Sequence, residues 1–293
     1  MLKKSKGLLL ALAIMALILT GCSKPTEEEE FDQSKAITVV SREDGSGTRG
    51  AFIELLGIEQ KDANGEKVDY TTELAVISNS TSVVMGNVAS NAYAIGYISL
   101  GSLNDTVKAL KIDGVEATVE NIKSNTYKVA RPFNIATSGE ISVVAQDFIN
   151  YILSANGQTV VEENGYISIS NTGEFTSELP SGKVVVGGSS SVSPVMEKLK
   201  EAYLALNPNA EIEVQQTDST SGMTSAIDGV VDIGMASREL KQSELDAGLV
   251  NTVIAMDGIA VIVNNENPLE DITSDNVRAV YMGEVTDWSV LFE

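Results

Sequence analysis

Short aliphatic, β-rich runs alternate with stretches of helical period from about residue 36 to the end of the chain. The runs are AITVV (Ala36 to Val40), AIGYISL (Ala94 to Leu100), KVVVGG (Lys183 to Gly188), EIEVQQ (Glu211 to Gln216), VDIGMAS (Val231 to Ser237) and GIAVIVNN (Gly258 to Asn265). Runs of this length predict strands, and their alternation with helical segments predicts an α/β fold. Helical period is clearest from Pro194 to Leu206, where Val195, Leu199, Ala202, Tyr203 and Leu206 share one face. Pro194 suits the first turn, and Asn207-Pro208-Asn209 stops the helix. Ile141 to Gly157 predicts a second helix, closed by its glycine as a C-cap. Ser168 to Gly182 has little period and many turn formers, which predicts a connection.

The N-terminal segment breaks this pattern. Lys3, Lys4 and Lys6 precede an apolar run from Leu8 to Leu19. That run is shorter than the roughly 20 residues needed to span a bilayer, so residues 1–21 predict a signal peptide and not a transmembrane helix. Leu19-Thr20-Gly21-Cys22 resembles the lipobox of bacterial lipoproteins, which implies cleavage before Cys22 and acylation of its thiol with a palmitate-type chain. Cys22 is the only cysteine, and a lone thiol in an exported chain directly after the apolar run fits modification. Two acyl chains anchor a protein without a spanning helix, so the expected place is the extracytoplasmic face of the cell membrane. Residues 22–35, polar and acidic, then form a lipidated tether.

Composition narrows the chemistry. With 293 residues and 43% hydrophobic content, the body is long enough for one large domain or two ordinary ones. There is no histidine, which removes His-based triads, the usual zinc sites and the commonest general base. No paired carboxylates stand out in their place, so neither catalytic residues nor a metal or other cofactor is expected. A formal net charge of -21 excludes nucleic acid as a partner.

Against that charge, three loops of one build look made for an anion. Each leads from a strand through glycine and hydroxyl residues into a helix: Gly45, Ser46, Gly47 and Thr48; Ser189, Ser190 and Ser191; Ser219, Thr220, Ser221 and Gly222. Helix N-termini present unpaired N–H groups and the positive end of the dipole. Glycine permits close approach, and serine or threonine adds a donor without bulk. Arg42 adds a planar, permanently charged fork, with Asp44 placed to hold it. Such a site acts at hydrogen-bond range, while the surrounding charge is screened beyond a Debye length of about 8 Å. No Walker pattern occurs, which excludes nucleotide hydrolysis of that kind.

SREDGSGTRGAF (Ser41 to Phe52), AIGYISLG (Ala94 to Gly101), GSSSVSP (Gly188 to Pro194), VDIGMASREL (Val231 to Leu240) and VYMGEVTDW (Val280 to Trp288) together resemble the motifs of the phosphate-binding lipoproteins of ABC transporters. The resemblance covers nearly the whole mature chain, but with the second part of the usual order placed first. It therefore implies a circularly permuted form of the two-lobed, type II periplasmic-binding-protein-like fold with a ligand cleft between lobes. Residues 36–128 plus 257–293 would form one lobe and residues 129–256 the other, with crossings near Tyr127 to Phe133 and Ile254 to Ala260. Termini that lie close together at a surface make such a rearrangement tolerable.

Carried over by residue, the resemblance implies phosphate contacts from Arg42, Ser46, Gly47 and Thr48 in one lobe. Ser190, Ser191 and Ser219 would supply them in the other, with Gly188, Ser189 and Thr220 as neighbours. Ser237 stands where many members carry an aspartate that accepts the proton of hydrogen phosphate and so rejects sulfate. Asp218 and Asp44 are the candidate substitutes. The implied function is binding of inorganic phosphate and delivery to the permease membrane subunits, by a monomer attached to the bilayer through Cys22. Three alternatives stay open: a binder of sulfate, molybdate or tungstate; an exported phosphoester hydrolase using Ser46 or Thr48; and an adhesion or sensor lipoprotein.

Overall fold

A computed structural model describes residues 30–292, which from Gln33 onward form a unit of their own. The signal peptide, Cys22 and most of the tether expected from the sequence lie outside the described residues. The first third of the fold runs β1 (Thr38–Arg42), α1 (Gly47–Leu55), β2 (Glu59–Lys61), β3 (Lys67–Asp69), β4 (Val76–Ser78), α2 (Thr81–Ala89), β5 (Ala94–Ser99), β6 (Lys108–Ala109) and β7 (Lys111–Ile112). It continues with α3 (Val119–Lys123), β8 (Ala130–Ser138), α4 (Val143–Leu153), α5 (Ala155–Glu163), β9 (Gly182–Ser189), α6 (Ser193–Leu206) and β10 (Ala210–Thr217). The last part is α7 (Ser219–Ile227), β11 (Ile233–Ala236), α8 (Gln242–Asp246), β12 (Leu249–Val263), β13 (Asp271–Ile272) and α9 (Ser274–Tyr281).

All six predicted strand runs are strands, and residues 168–181 carry neither helix nor named strand. The predicted helix from Ile141 to Gly157 is two helices. Ser154 is extended, at φ -76° and ψ 168°, and serves as C-cap of α4 and N-cap of α5 at once. Its Oγ donates to the Tyr151 carbonyl (2.6 Å) and accepts from Gly157 N (3.2 Å). Gly157 is therefore no C-cap. It lies inside α5, where a side chain would collide with the Tyr151 carbonyl. In α6, Val195, Leu199 and Tyr203 are fully buried as their spacing predicts, but Leu206 is 48% exposed. It is the last helical residue, and Asn207 turns inward beside it to donate to Pro180 O (2.9 Å).

One sheet orders these strands as β10-β9-β11-β8-β12-β5-β1-β4. The pairs β10/β9, β9/β11, β5/β1 and β1/β4 are parallel, as strand-helix-strand crossovers require. The centre is antiparallel, because β8 and β12 run against each other from Leu249↔Ser138 to Gly258↔Ala130, with an irregularity at Val253/Ala255. Beyond Gly258 the same β12 leaves β8 and pairs with β5, from Ile259↔Ser99 to Val263↔Ile95. Two parallel sheet halves are thus joined through one long strand.

Separate cores flank that junction. Phe133, Phe148, Tyr151, Val184, Leu199, Tyr203 and Ile254 belong to one cluster, and Val40, Val84, Val88, Ile98, Ala260 and Ile262 to another. Where β8 meets β12, the buried Arg131 and Asp257 side chains (2% and 1% exposed) form an ion pair at 3.2 Å. At the far edge, the two ends of the described chain lie side by side. Ile37 N donates to Thr286 O (2.7 Å), and Trp288 N donates to Lys35 O (3.1 Å). Trp288 is fully buried and its indole N–H donates to Tyr93 O (3.1 Å).

Candidate functional site

The turns that follow β1, β4, β9 and β10 all deliver helix N-termini, and they meet in one place. Parallel strands with helical crossovers place such turns together at their carboxyl ends. Ser46 caps α1 by accepting from Arg49 N (3.3 Å), Ser80 caps α2 by accepting from Val83 N (3.4 Å), and Asp218 caps α7 by accepting from Ser221 N (2.8 Å). Each cap satisfies one donor and leaves other first-turn N–H groups without helical partners.

The predicted site residues converge there. Arg42, Ser46, Thr48, Ser190, Ser191, Ser219 and Ser237 are each at most 3% exposed. Arg42 Nη2 donates to Ser190 Oγ (3.1 Å), and Thr48 Oγ1 and Ser191 Oγ share a hydrogen bond of 2.8 Å. These bonds join residues 148 and 143 positions apart in sequence. Ser237 N donates to Ser219 Oγ (3.1 Å), and Ser189 Oγ donates to Ser237 Oγ (2.9 Å). Gly47 sits between the two groups: a side chain there would collide with Ser219 Oγ and reach to 2.9 Å from Ser237 Oγ. Gly188, at φ +139°, has the same constraint toward Met235 O, so glycine is required where β9 turns into the site. Ser46 is buried beside this cluster with its hydroxyl used in the α1 cap.

The structure departs from expectation at the arginine. Asp44 does not hold the Arg42 fork. It is 97% exposed and paired to Arg49 Nη1 (2.6 Å). Glu43 holds the fork instead, with Arg42 Nε donating to Oε2 (2.8 Å) and Nη2 to Oε1 (2.7 Å). The reason lies in β1. Strand β1 is buried on both faces from Val39 to Arg42, and the chain leaves the strand after Arg42, so that Glu43 is half-buried against the guanidinium while Asp44 reaches solvent. Below Arg42, Tyr97 OH accepts from Arg42 N (3.2 Å) while its ring stacks on Phe52 at 3.9 Å, so the strand is fixed in place. Burial raises the Tyr97 phenol above its ordinary range, which keeps it neutral under the site.

Thr81, which the sequence motifs did not single out, joins this cluster. Its Oγ1 lies 3.2 Å from Ser191 Oγ and 3.4 Å from Ser190 Oγ. A signal was present, since Asn79-Ser80-Thr81-Ser82 follows β4 and opens α2 in the same way as the other three loops. Unlike the other three loops, it has no glycine beside its hydroxyls.

Chemically, the cluster offers hydroxyls, backbone N–H groups and one guanidinium. Thr48 Oγ1 is bonded to another hydroxyl, and Ser46 Oγ faces a backbone donor. Neither is bonded to a group able to take its proton, so neither is an activated nucleophile.

Residues 20–156 and 173–291 match the PBP superfamily domain. The chain is 53% identical to a Streptococcus agalactiae protein named phosphate-binding protein PstS 2, over 99% of each chain. It is 31% identical to the Bacillus subtilis phosphate-binding protein PstS over 116 residues, 39% of each chain. A crystal structure of a phosphate ABC transporter phosphate-binding protein from Streptococcus pneumoniae is similar with a TM-score of 0.69 and 47% identity, covering 88% of this chain and 100% of that one.

Proposed function

The chain belongs to the PBP superfamily and, within it, to the family of phosphate-binding proteins, and from that premise we propose that it captures inorganic phosphate outside the cytoplasm for an ABC-type permease. It is a binding protein and not an enzyme. One observation carries the reading: a buried arginine and hydroxyls from sequence-distant loops meet at several helix N-termini. That donor set complements a small oxyanion. Arg42, Ser46, Gly47, Thr48, Ser190, Ser191, Ser219 and Ser237 hold the phosphate, with Thr81 added from α2.

Residues 36–128 with 257–293 and residues 129–256 act as two lobes, hinged where β8 and β12 cross. The separate cores on either side of that crossing support this division. The Arg42–Ser190 and Thr48–Ser191 bonds then belong to the closed form, which ligand favours and the permease reads. A circular permutation accounts for the motif order. It is supported by the adjacency of Lys35 and Ile37 to Trp288 and Thr286, and by the match to the Bacillus relative over only 39% of each chain. Acylated Cys22 tethers the monomer to the bilayer.

Titration calorimetry of the full chain in detergent, cleared of bound anion by unfolding and refolding, tests the reading. One-to-one binding of phosphate, tighter than that of sulfate, molybdate or tungstate, is expected. No heat with phosphate, or tighter binding of another oxyanion, overturns it.

A further inference from the structure

Resting on the phosphate reading, we propose that Arg238 is a positioning residue of the site: it fixes Thr220 at the head of α7, latches that helix onto the Gly45 turn, and so slows release of the anion. Arg238 acts through Thr220 and needs no contact of its own with the ligand.

Both terminal nitrogens of Arg238 are engaged within residues 129–256. Nη1 donates to Glu239 O (2.9 Å) and Glu244 Oε2 (2.9 Å), and Nη2 donates to Glu244 Oε1 (2.7 Å) and Thr220 Oγ1 (3.3 Å). Arg238 and Glu244 are 8% and 7% exposed. Glu244 Oε2 also accepts from Lys241 N (2.7 Å), which anchors the carboxylate at the start of α8. Burial works against its charge, but the bonds from Arg238 and Lys241 N hold the Glu244 carboxyl below its ordinary range, so the pair stays ionised at neutral pH.

From this base Arg238 reaches the other group of site residues in two ways. Thr220 N donates to Gly45 O (3.1 Å), a backbone bond between the two lobes proposed above. With its hydroxyl held by Arg238, Thr220 keeps that N–H aimed at Gly45, beside Ser219 in the anion cluster. The Arg238 stem meanwhile passes over the glycines of α1: a side chain at Gly47 would come to 3.1 Å from Arg238 Cγ, and one at Gly50 to 3.7 Å from Cδ. The bonds to Glu244 and Thr220 lie within one lobe and survive opening, whereas the bond to Gly45 and the contact with α1 exist only when the lobes meet. Loss of the latch therefore shows in release more than in capture.

Stopped-flow release of inorganic phosphate from the full chain in detergent, into an excess of a fluorescent phosphate trap, tests this. Arg238→Met with Glu244→Gln removes both charges, so that no buried carboxylate is stranded. Its release is expected to be at least about tenfold faster, with association within about twofold of the parent. Thr220→Val removes only the Oγ1 acceptor and keeps the Arg238–Glu244 pair; release about threefold faster is expected, with an unchanged urea midpoint. E239Q changes a charge one position away on the exposed side and leaves release unaltered. A parental release rate in the double variant or in T220V overturns the inference. So does a loss confined to the association rate, or to the active fraction in calorimetry, either of which marks a merely structural role. If the double variant does not fold, T220V carries the test. A parent protein that binds no phosphate sinks the underlying reading, whereas a parent that binds it and a T220V that releases it no faster sink only the role of Arg238.

Discussion

Two arginines, Arg42 and Arg131, are each 2% exposed and each faces a carboxylate, yet their surroundings differ. Arg42 makes two short bonds to Glu43, which keeps 22% exposure, and a third to Ser190. Arg131 makes one bond of 3.2 Å to Asp257, which is 1% exposed, and its Nε and Nη1 find no partner among the described residues. Burial pushes the Asp257 carboxyl up to about 6 against the pull of Arg131, and burial also lowers the Arg131 guanidinium from its usual range. Equal burial thus yields two kinds of cation. One is held by a partly solvated partner and turned toward a ring of donors; the other is locked under the strand crossing at high desolvation cost.

The largest expected effect is at the crossing. Asp257→Ala strands a buried guanidinium, and urea unfolding at pH 7 is expected to show a loss of about 3 to 5 kcal/mol. Replacing both partners with apolar residues, Arg131→Met with Asp257→Leu, is expected to recover most of that loss. A double variant no more stable than the single one would break the contrast between the two arginines.

The second effect is a pH dependence from the same pair. The folded Asp257 carboxyl is raised above its ordinary 3.8 to about 6, so the folded chain binds a proton that the unfolded chain has released. Its contribution to stability is fully present below about 3.8 and is lost as pH rises through 6. The span is on the order of 2 to 3 kcal/mol, read from unfolding free energies between pH 4 and 7. Asp257→Asn is expected to flatten that window, and an unchanged slope would place the titration elsewhere.

At the other arginine the expected effect is on ligand and not on folding. Arg42→Ala is expected to weaken phosphate binding at least about tenfold, about 1.4 kcal/mol. An unaltered dissociation constant removes Arg42 from the site. The smallest change is Ser237→Ala, which leaves Ser189 Oγ without its acceptor and is expected to cost about 1 kcal/mol of affinity. The comparison sharpens if Ser237→Ala weakens phosphate binding less than Arg42→Ala does, as a neutral hydrogen bond contributes less than a charged one.

Local chemistry made part of this protein readable from its residues. Gly47, Gly188 and the serines beside them stand out because close backbone approach and small donors demand those residue types wherever the chain turns. The strand runs were legible for a similar reason, since β-branched residues in short blocks suit few other conformations. Ser154 was not legible as a break, because a serine inside an apolar period is tolerated in a helix, and only its bonds to Tyr151 O and Gly157 N reveal the cap. Thr81 was hidden by the lack of a neighbouring glycine.

Sequence by itself determined the α/β alternation, the anion-suited turns and the residues that line them, because these follow from preferences within a few positions along the chain. Only the tertiary structure decided that Glu43 and not Asp44 grips Arg42, and that Arg131 is shut beneath the strand crossing with Asp257. Partner choice among adjacent carboxylates depends on how a turn aims them in space, and burial at a crossing depends on strands far apart in sequence. Neither quantity is written in local order.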